Sequence, residues 1–495
     1  MTLRISRRSF LGTSAVAAAT TFGPFHLALG KIGVAQPLTR QLGRTDYQVT
    51  SLGLGGQSSL QWTPDDVDPI SIILKAIESG VNYIDTSNVY AASQLNFGKA
   101  FRQLNVVPGL PGYDEKKRRS LCVASKTMIR HAKGAHPEVR DRTNGPAGSL
   151  AVDDLRRTLS QVFGDGNGNY ADDAYLDVFL IHNLNTLAEV DAIYYGLDAP
   201  DPQAERIGAL AALRDYRDGT NLTGLNPREE RRIRHLGFSG HLSSPVMIEC
   251  LQRDEHQVLD VMLIAINAND RLYFNHQHNA IAVAAAKDVG VVAMKVFADG
   301  AMYTKPATWS RIPADVVRTV GDPDLPSRPL VEYALTTPGV ATAIIGIGHI
   351  DSQVSQCQLT QNLSAAQVRP DALSAGDRQQ IEALALHAKQ GETNYFQLAK
   401  QPLGTPREPA AARQGEGDAH HVRLTWQMAY AADDPISHYS ILRNGQVIGQ
   451  VPHQPQTTKE PFQFVDSEAG SRPQSYQIVT TDAAERTAAS DALEV

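Results

Sequence analysis

A chain of 495 residues exceeds one ordinary domain and suits either two domains or a large α/β barrel with an appendage. With 42% hydrophobic and 20% charged residues and a net charge of -7, it can bury a full core and offers no basic surface for nucleic acid. Its three cysteines, Cys122, Cys250 and Cys357, lie far apart, which excludes a disulfide framework and a cysteine-ligated metal or iron–sulfur centre.

At the start of the chain, Arg7 and Arg8 precede Phe10, Leu11 and a weakly apolar run rich in Ala and Thr. This resembles the twin-arginine export signal, an address that stands outside the fold. Residues 1–35 are read as that signal, with small residues (Ala28 and Gly30, or Gly33 and Ala35) ahead of two candidate processing points. The run is long enough to span a bilayer, but Pro24, His26 and its threonines make it a poor anchor, so no stable span is expected after its removal. The resemblance implies a folded, cofactor-carrying protein that is periplasmic or secreted.

From Val49 onward, β-rich runs alternate with helical stretches: "VTSLGLGG", "VNYIDTS", "SLCVASKT", "LDVFLIH", "RHLGFSG", "VLDVMLIAI", "VGVVAMKV" and "ATAIIGIG". Their nearly continuous Val, Ile and Leu content suits strands buried on both faces, and residues 149–163 and 277–287 carry helical apolar spacing. Eight strands alternating with helices predict a (β/α)8 TIM barrel rather than an open doubly wound sheet. Lys116, Lys117, Arg118 and Arg119, beside Asp114 and Glu115, read as a solvated loop.

In such a barrel, reactive groups gather at the C-terminal strand ends. The second run ends at Asp85 and leads into Tyr90, the third ends at Lys126, the fourth at His182, and the fifth at Ser239, Gly240 and His241. A phenol with a pKa near ~10 releases its proton at neutral pH only if its anion is stabilised. Lys126 is expected to do so and thereby lower the Tyr90 pKa, with Asp85 holding the lysine charged and His182 orienting a carbonyl. The set suits protonation of a carbonyl oxygen as hydride reaches carbon, or the reverse.

"DTSNVYAASQLNFG", from Asp85 to Gly98, resembles the D-T-A-x-x-Y-G-x-S-E-x-x-L-G signature of the aldo-keto reductases, with Ser87, Ala91, Gln94 and Phe97 as departures. "LGRTDYQVTSLGLGG", "ASKT", "YLDVFLIH" and "AIIGIG" are similar to that family's first hairpin and strand, lysine strand, histidine strand and last strand, so the likeness covers residues 38–387. It implies a barrel, an NADP or NAD cofactor with NADP as the family default, and Asp85, Tyr90, Lys126 and His182 as the catalytic tetrad. It also implies cofactor contacts from Gly56, from Ser239 and Gly240 at strand five, from Asn267 (or Asn269) near strand six, and from Met294 and Lys295 at strand seven. After strand eight, Gly346, Gly348, Asp351, Ser352 and Gln353 are expected to hold phosphate through backbone N–H groups at a helix start. That stretch carries His349 but no Lys or Arg for a 2′-phosphate. Insertions at residues 128–148, 183–202 and 299–327 are expected to wall the pocket, with Tyr194, Tyr195, Tyr303 and Trp309 as candidate linings. No metal site is expected.

The barrel is assigned to residues 38–395. The Pro-, Gly- and Ala-rich stretch 396–419 reads as a linker, and 420–495 as a small all-β immunoglobulin-like sandwich. Alternating strands, an Asn444-Gly445 hairpin turn, Trp426 and Tyr476 resemble a fibronectin type III domain, for which packing on the barrel or contact with a surface or glycan remains open. The expected function is NAD(P)-dependent interconversion of a carbonyl (aldehyde, ketone or sugar) and an alcohol. Two alternatives stand beside it: a catalytically silent cofactor-binding or scaffold barrel, and a redox-neutral sugar conversion with tightly bound NAD(P).

Overall fold

Runs of Val, Ile and Leu need cover on both faces, and the chain provides it by closing eight parallel strands into a barrel wrapped by helices. The structure, a computed structural model, describes residues 37–415 and 421–495, so the expected export signal lies outside the described residues. The barrel strands are β1 (Leu52–Gly55), β2 (Tyr83–Asp85), β3 (Cys122–Thr127), β4 (Leu176–Ile181), β5 (Ile233–Gly240), β6 (Leu259–Ala265), β7 (Gly290–Met294) and β8 (Val340–Ile345). They are hydrogen-bonded in chain order, with β8 returning to β1. All eight runs read from the sequence contribute a strand, and the helical stretches appear as Ala151–Val162 and Ala280–Ala286.

Two apolar layers follow from the alternation of side chains along each strand. Inward-facing Tyr83, Cys122, Val178, Leu180, Val261 and Leu263 fill the barrel, and Leu42 and Val49 of the hairpin Thr39–Gln41/Gln48–Thr50 join them. The outward-facing residues pack under the helices in one continuous core. All three cysteines are free and buried. No helix among the described residues is long and apolar enough to cross a membrane.

The basic run is not a solvated loop. Glu115–Arg119 is a short helix, and Arg118 is fully buried with its guanidinium 2.8 Å from Asp177 and against the Phe163 and Tyr175 rings. Its donors reach Asp177 and the Tyr175 carbonyl, while Asp177 also accepts the Val123 N–H and the Tyr47 hydroxyl, so the carboxylate ties the bottom of β3 to β4 and to the entry hairpin.

The tail forms antiparallel all-β sheets. Strands β9 (Arg407–Gln414), β10 (His421–Gln427) and β13 (Phe462–Asp466) make one; β11 (Ile436–Arg443), β12 (Gln446–Pro452), β14 (Ser475–Asp482) and two short strands make the other. Between them lies a core in which buried Trp426 stacks on Phe462 and meets Tyr439 edge-on. Asn444 and Gly445, both at positive φ, turn β11 into β12. The stretch expected as a linker differs: it carries β9, and before that Leu398 pairs with Leu242 and Phe274 of the barrel. "REPAAARQ" alternates exposed and half-buried residues, but its alanines are too small to advertise a strand. Barrel and sheets form one compact unit, joined where the Asn279 side chain exchanges two hydrogen bonds with the Ala431 backbone and Gln252 donates to the Gln456 carbonyl.

Replacing Arg118 by Ala leaves Asp177 buried without its cation. Chemical denaturation should show a loss of about 3–5 kcal/mol; a loss below about 1 kcal/mol, as for a surface pair, would show that the ion pair is not buried in solution.

Candidate active site

Strand register decides which side chains meet at the C-terminal mouth. Asp85 lies opposite Ala124, two residues before Lys126, so both side chains point into the barrel. Thr127 pairs with Ile181, which places His182 one residue beyond. Past the end of β2 the chain keeps pairing with β3: Thr86 N–H donates to the Ala124 carbonyl and Asn88 N–H to that of Lys126. This extended ladder carries Tyr90 over the barrel before the helix Ser93–Gln103 starts.

The four expected groups come together. Lys126 Nζ lies 2.5 Å from Asp85 Oδ1, 2.8 Å from the Thr86 carbonyl and 4.8 Å from the centre of the Tyr90 ring. The Tyr90 hydroxyl is 3.5 Å from His182 Nε2, and His182 Nδ1 is 3.0 Å from Ser87 Oγ. Burial raises Asp85 and lowers Lys126, and the contact between them opposes both shifts. Tyr90 is pushed well above the ordinary phenol value by burial, then by Asp85 and Asp299. The expected lowering by Lys126 is therefore not what this geometry does: the ammonium hydrogen-bonds Asp85 and Thr86 and faces the ring rather than the hydroxyl. His182 is held well below its ordinary value by burial and then by the Lys126 charge, so its imidazole is neutral.

A groove runs from Asp85 and Tyr90 along β7 and β8. Of the expected cofactor residues, Gly56, Met294, Lys295 and Gly346 line it. A Cβ on Gly56 would stand 2.4 Å from the Asp85 carbonyl oxygen, so only glycine keeps that wall open. Lys295 sits in the left-handed region (φ 62°), its buried ammonium 3.3 Å from Gln57 Oε1 and 3.5 Å from Asp299.

Other expected contacts lie elsewhere. Ser239 Oγ accepts the Asn183 N–H and so fixes the loop after His182, while Gly240 makes room for Met247. Asn267 exchanges its amide with that of Asn394, with the Lys295 carbonyl and the Asn269 N–H as further partners, leaving nothing for a ligand. Asn269 is likewise buried, on Thr393. Gly348 N–H donates to Gln358 Oε1, and Asp351 accepts the Gln353 N–H in a loop that includes Ser352 and does not border the groove. The expected helix start is displaced: the helix after β8 begins only at Gln358 (Gln358–Ala365).

Sequence reasoning missed Asp299. It lines the groove and binds Lys305, Ser310 and Tyr395; burial would raise it, but Lys295 and Lys305 outweigh that and hold it at about 2. Its i,i+4 spacing from Lys295 was the only available signal. Gln57, Gln358 and Thr319, also in the wall, had none. Tyr303 lines the groove with a buried hydroxyl that has no partner among the described residues. Trp309 packs instead on His241, Tyr395 and Phe396, Tyr194 bonds the Cys250 carbonyl, and Tyr195 is exposed beside His136.

A family model described as the aldo/keto reductase family matches residues 51–383. No curated protein matches the chain. Among solved structures, a putative aldo-keto reductase from Pseudomonas aeruginosa is 19% identical, with 68% of this chain and 100% of that one covered and a TM-score of 0.41. An aldo/keto reductase from Klebsiella pneumoniae, solved with NADP and acetate, is 16% identical over 70% of this chain and 95% of that one, with a TM-score of 0.42.

Both rings, Tyr90 and His182, should stay neutral across the physiological range. In a difference titration against Tyr90→Phe, Tyr90 should show no phenolate absorbance below pH 10, its ordinary value. His182 should not protonate at pH 6.5, its ordinary value, when followed by NMR against His182→Gln. A transition at either ordinary value would contradict the burial that sets these shifts.

Proposed function

The chain belongs to the aldo/keto reductase family, and from that premise we propose that it is an NAD(P)-dependent oxidoreductase that interconverts a carbonyl and an alcohol. The observation that carries this reading is the convergence of the Tyr90 hydroxyl and His182 Nε2, 3.5 Å apart, above a buried lysine–aspartate pair at the end of a groove. The groove fits a nicotinamide dinucleotide: it offers a buried cation in Lys295 and, among the described residues, an unpartnered hydroxyl in Tyr303 and an unpartnered Asp85 Oδ2.

When bound, the nicotinamide supplies or accepts the hydride. The protein's own part is to place and protonate oxygen. As carbon gains hydride, the C=O π pair moves to oxygen, and the Tyr90 hydroxyl gives that oxygen its proton. The phenolate left behind regains a proton from solvent through the groove, the Lys126 ammonium facing its ring rather than its oxygen. Because Tyr90 is raised, the resting enzyme holds the acid form that reduction needs. Gln57 and Asp299 position Lys295, which lines the groove and would hold part of the bound cofactor.

A second reading, a catalytically silent barrel kept as a scaffold, draws on the loop after β8, where Gly348 N–H is taken by Gln358 and is lost as a donor to a cofactor. We propose NADP as the default cofactor from family membership and from the Klebsiella pneumoniae relative, export from the Arg7-Arg8 pair, and a fibronectin type III-like attachment role for the C-terminal sheets from their Trp426 core.

Tyr90→Phe should lower kcat for reduction of a broad aldehyde, ketone and sugar panel by about 10²–10⁴ and leave NADPH and NADH affinity nearly unchanged. Unchanged turnover would remove Tyr90 from the chemistry. No turnover of any carbonyl by the wild-type protein, whether or not it binds either cofactor, would favour the second reading.

A further inference from the structure

His182 can place its single ring hydrogen on either nitrogen, and the two choices have opposite consequences at Tyr90. The ring is neutral. Its Nδ1 faces the fully buried Ser87 hydroxyl at 3.0 Å, and its Nε2 faces the Tyr90 hydroxyl at 3.5 Å. Ser87 Oγ also accepts the Val89 N–H at 3.4 Å. The hydroxyl has one proton of its own, and His182 Nδ1 is the only acceptor within reach of it among the described residues.

If Nδ1 carried the ring hydrogen, the Ser87 proton would be without an acceptor on a hydroxyl that solvent does not reach, which is costly. Nε2 would then be a bare acceptor and would draw the Tyr90 proton toward itself. If instead Ser87 donates to Nδ1, the buried Ser87 hydroxyl is satisfied: the ring hydrogen sits on Nε2, and the one proton left over is that of Tyr90, which lines the groove and is free for an incoming oxygen. We infer that Ser87 locks His182 in the Nε2–H tautomer, so that imidazole and phenol act as two donors converging on one ligand oxygen. Ser87 is thus a positioning residue working through His182; that the oxygen belongs to a carbonyl under reduction rests on the function proposed above. Ser87 stands where the family signature carries Ala, which makes the device a property of this chain.

The test is ¹⁵N NMR of the full-length protein labelled at histidine, with His182→Gln assigning the His182 signals. In the wild type, Nδ1 should show the unprotonated shift and Nε2 the N–H shift. Ser87→Ala should shift the ring toward a tautomer mixture, and Ser87→Thr, which keeps a hydroxyl, should restore the wild-type pattern. In parallel, Ser87→Ala should lower kcat about tenfold with NADPH Kd changed less than about twofold, a split that a general loosening of the fold would not give. An Nδ1–H signature in the wild type, or an unchanged ring in Ser87→Ala, would overturn the inference. The wild-type spectrum decides even if Ser87→Ala fails to fold, and the tautomer readout holds in a protein that turns over no carbonyl, so it separates this inference from the proposed reaction.

Discussion

An ammonium sealed inside a barrel must be met by a carboxylate, and the Lys126–Asp85 pair governs the site for that reason. Both side chains have essentially no solvent contact, so neither could be kept charged without the other. Their meeting requires two adjacent strands in one register, with inward side chains at matching height, and the barrel supplies that. The second hydrogen-bond partner of Lys126, the Thr86 carbonyl, lies on the loop that continues the β2–β3 ladder toward Tyr90. The ion pair therefore fixes the backbone that delivers the phenol. A buried pair of this kind contributes little net stability; its consequence is positional.

On the far side of the phenol, the 299–327 insertion and the segment after the last barrel helix close over the site. Asp299 gathers Lys295 from the end of β7, Lys305 and Ser310 from the insertion, and Tyr395 from the later segment. Trp309 completes the cover against His241 and Phe396, with the Lys295 ammonium 4.6 Å from its ring. This arrangement explains both the near-complete burial of Tyr90 and the direction of its shift, since Asp299 adds negative charge to a site already short of water.

Legibility followed the range of the forces involved. The eight strands and the meeting of Asp85, Tyr90, Lys126 and His182 could be read because burial on both faces demands apolar runs, and because strand ends place polar side chains at fixed points in the sequence. The Trp426 core and the Asn444-Gly445 turn were legible for similarly local reasons. Arg118 could not be recognised as a core residue, because the two rings and the carboxylate that hold it come from Phe163, Tyr175 and Asp177, all distant in sequence. Asn267 looked free for a ligand only because its partner Asn394 lies beyond the barrel strands. Gly348 was misplaced in the same way: its N–H is taken by a glutamine at the start of a helix that begins later than the glycine pattern suggested.

The departures from the family signature show how the loop after β2 bears strain. Ala91, at φ 28°, occupies a conformation in which the glycine of the signature would meet no Cβ penalty, a cost of about 1–2 kcal/mol for an L-residue. Such strain persists only where the surroundings over-determine the backbone. They do so here: Tyr90 N–H donates to the Ser87 carbonyl, Ser93 N–H to the Tyr90 carbonyl, and the Ser93 and Thr86 hydroxyls meet at 2.8 Å. Gln94 then anchors the following helix by donating from one nitrogen to the Ser125 and Thr158 hydroxyls, a bond set that uses the amide where the signature has a carboxylate. The backbone is thus fixed by hydrogen bonds on both sides of Ala91, which is what makes the loop beside the phenol tolerate the alanine.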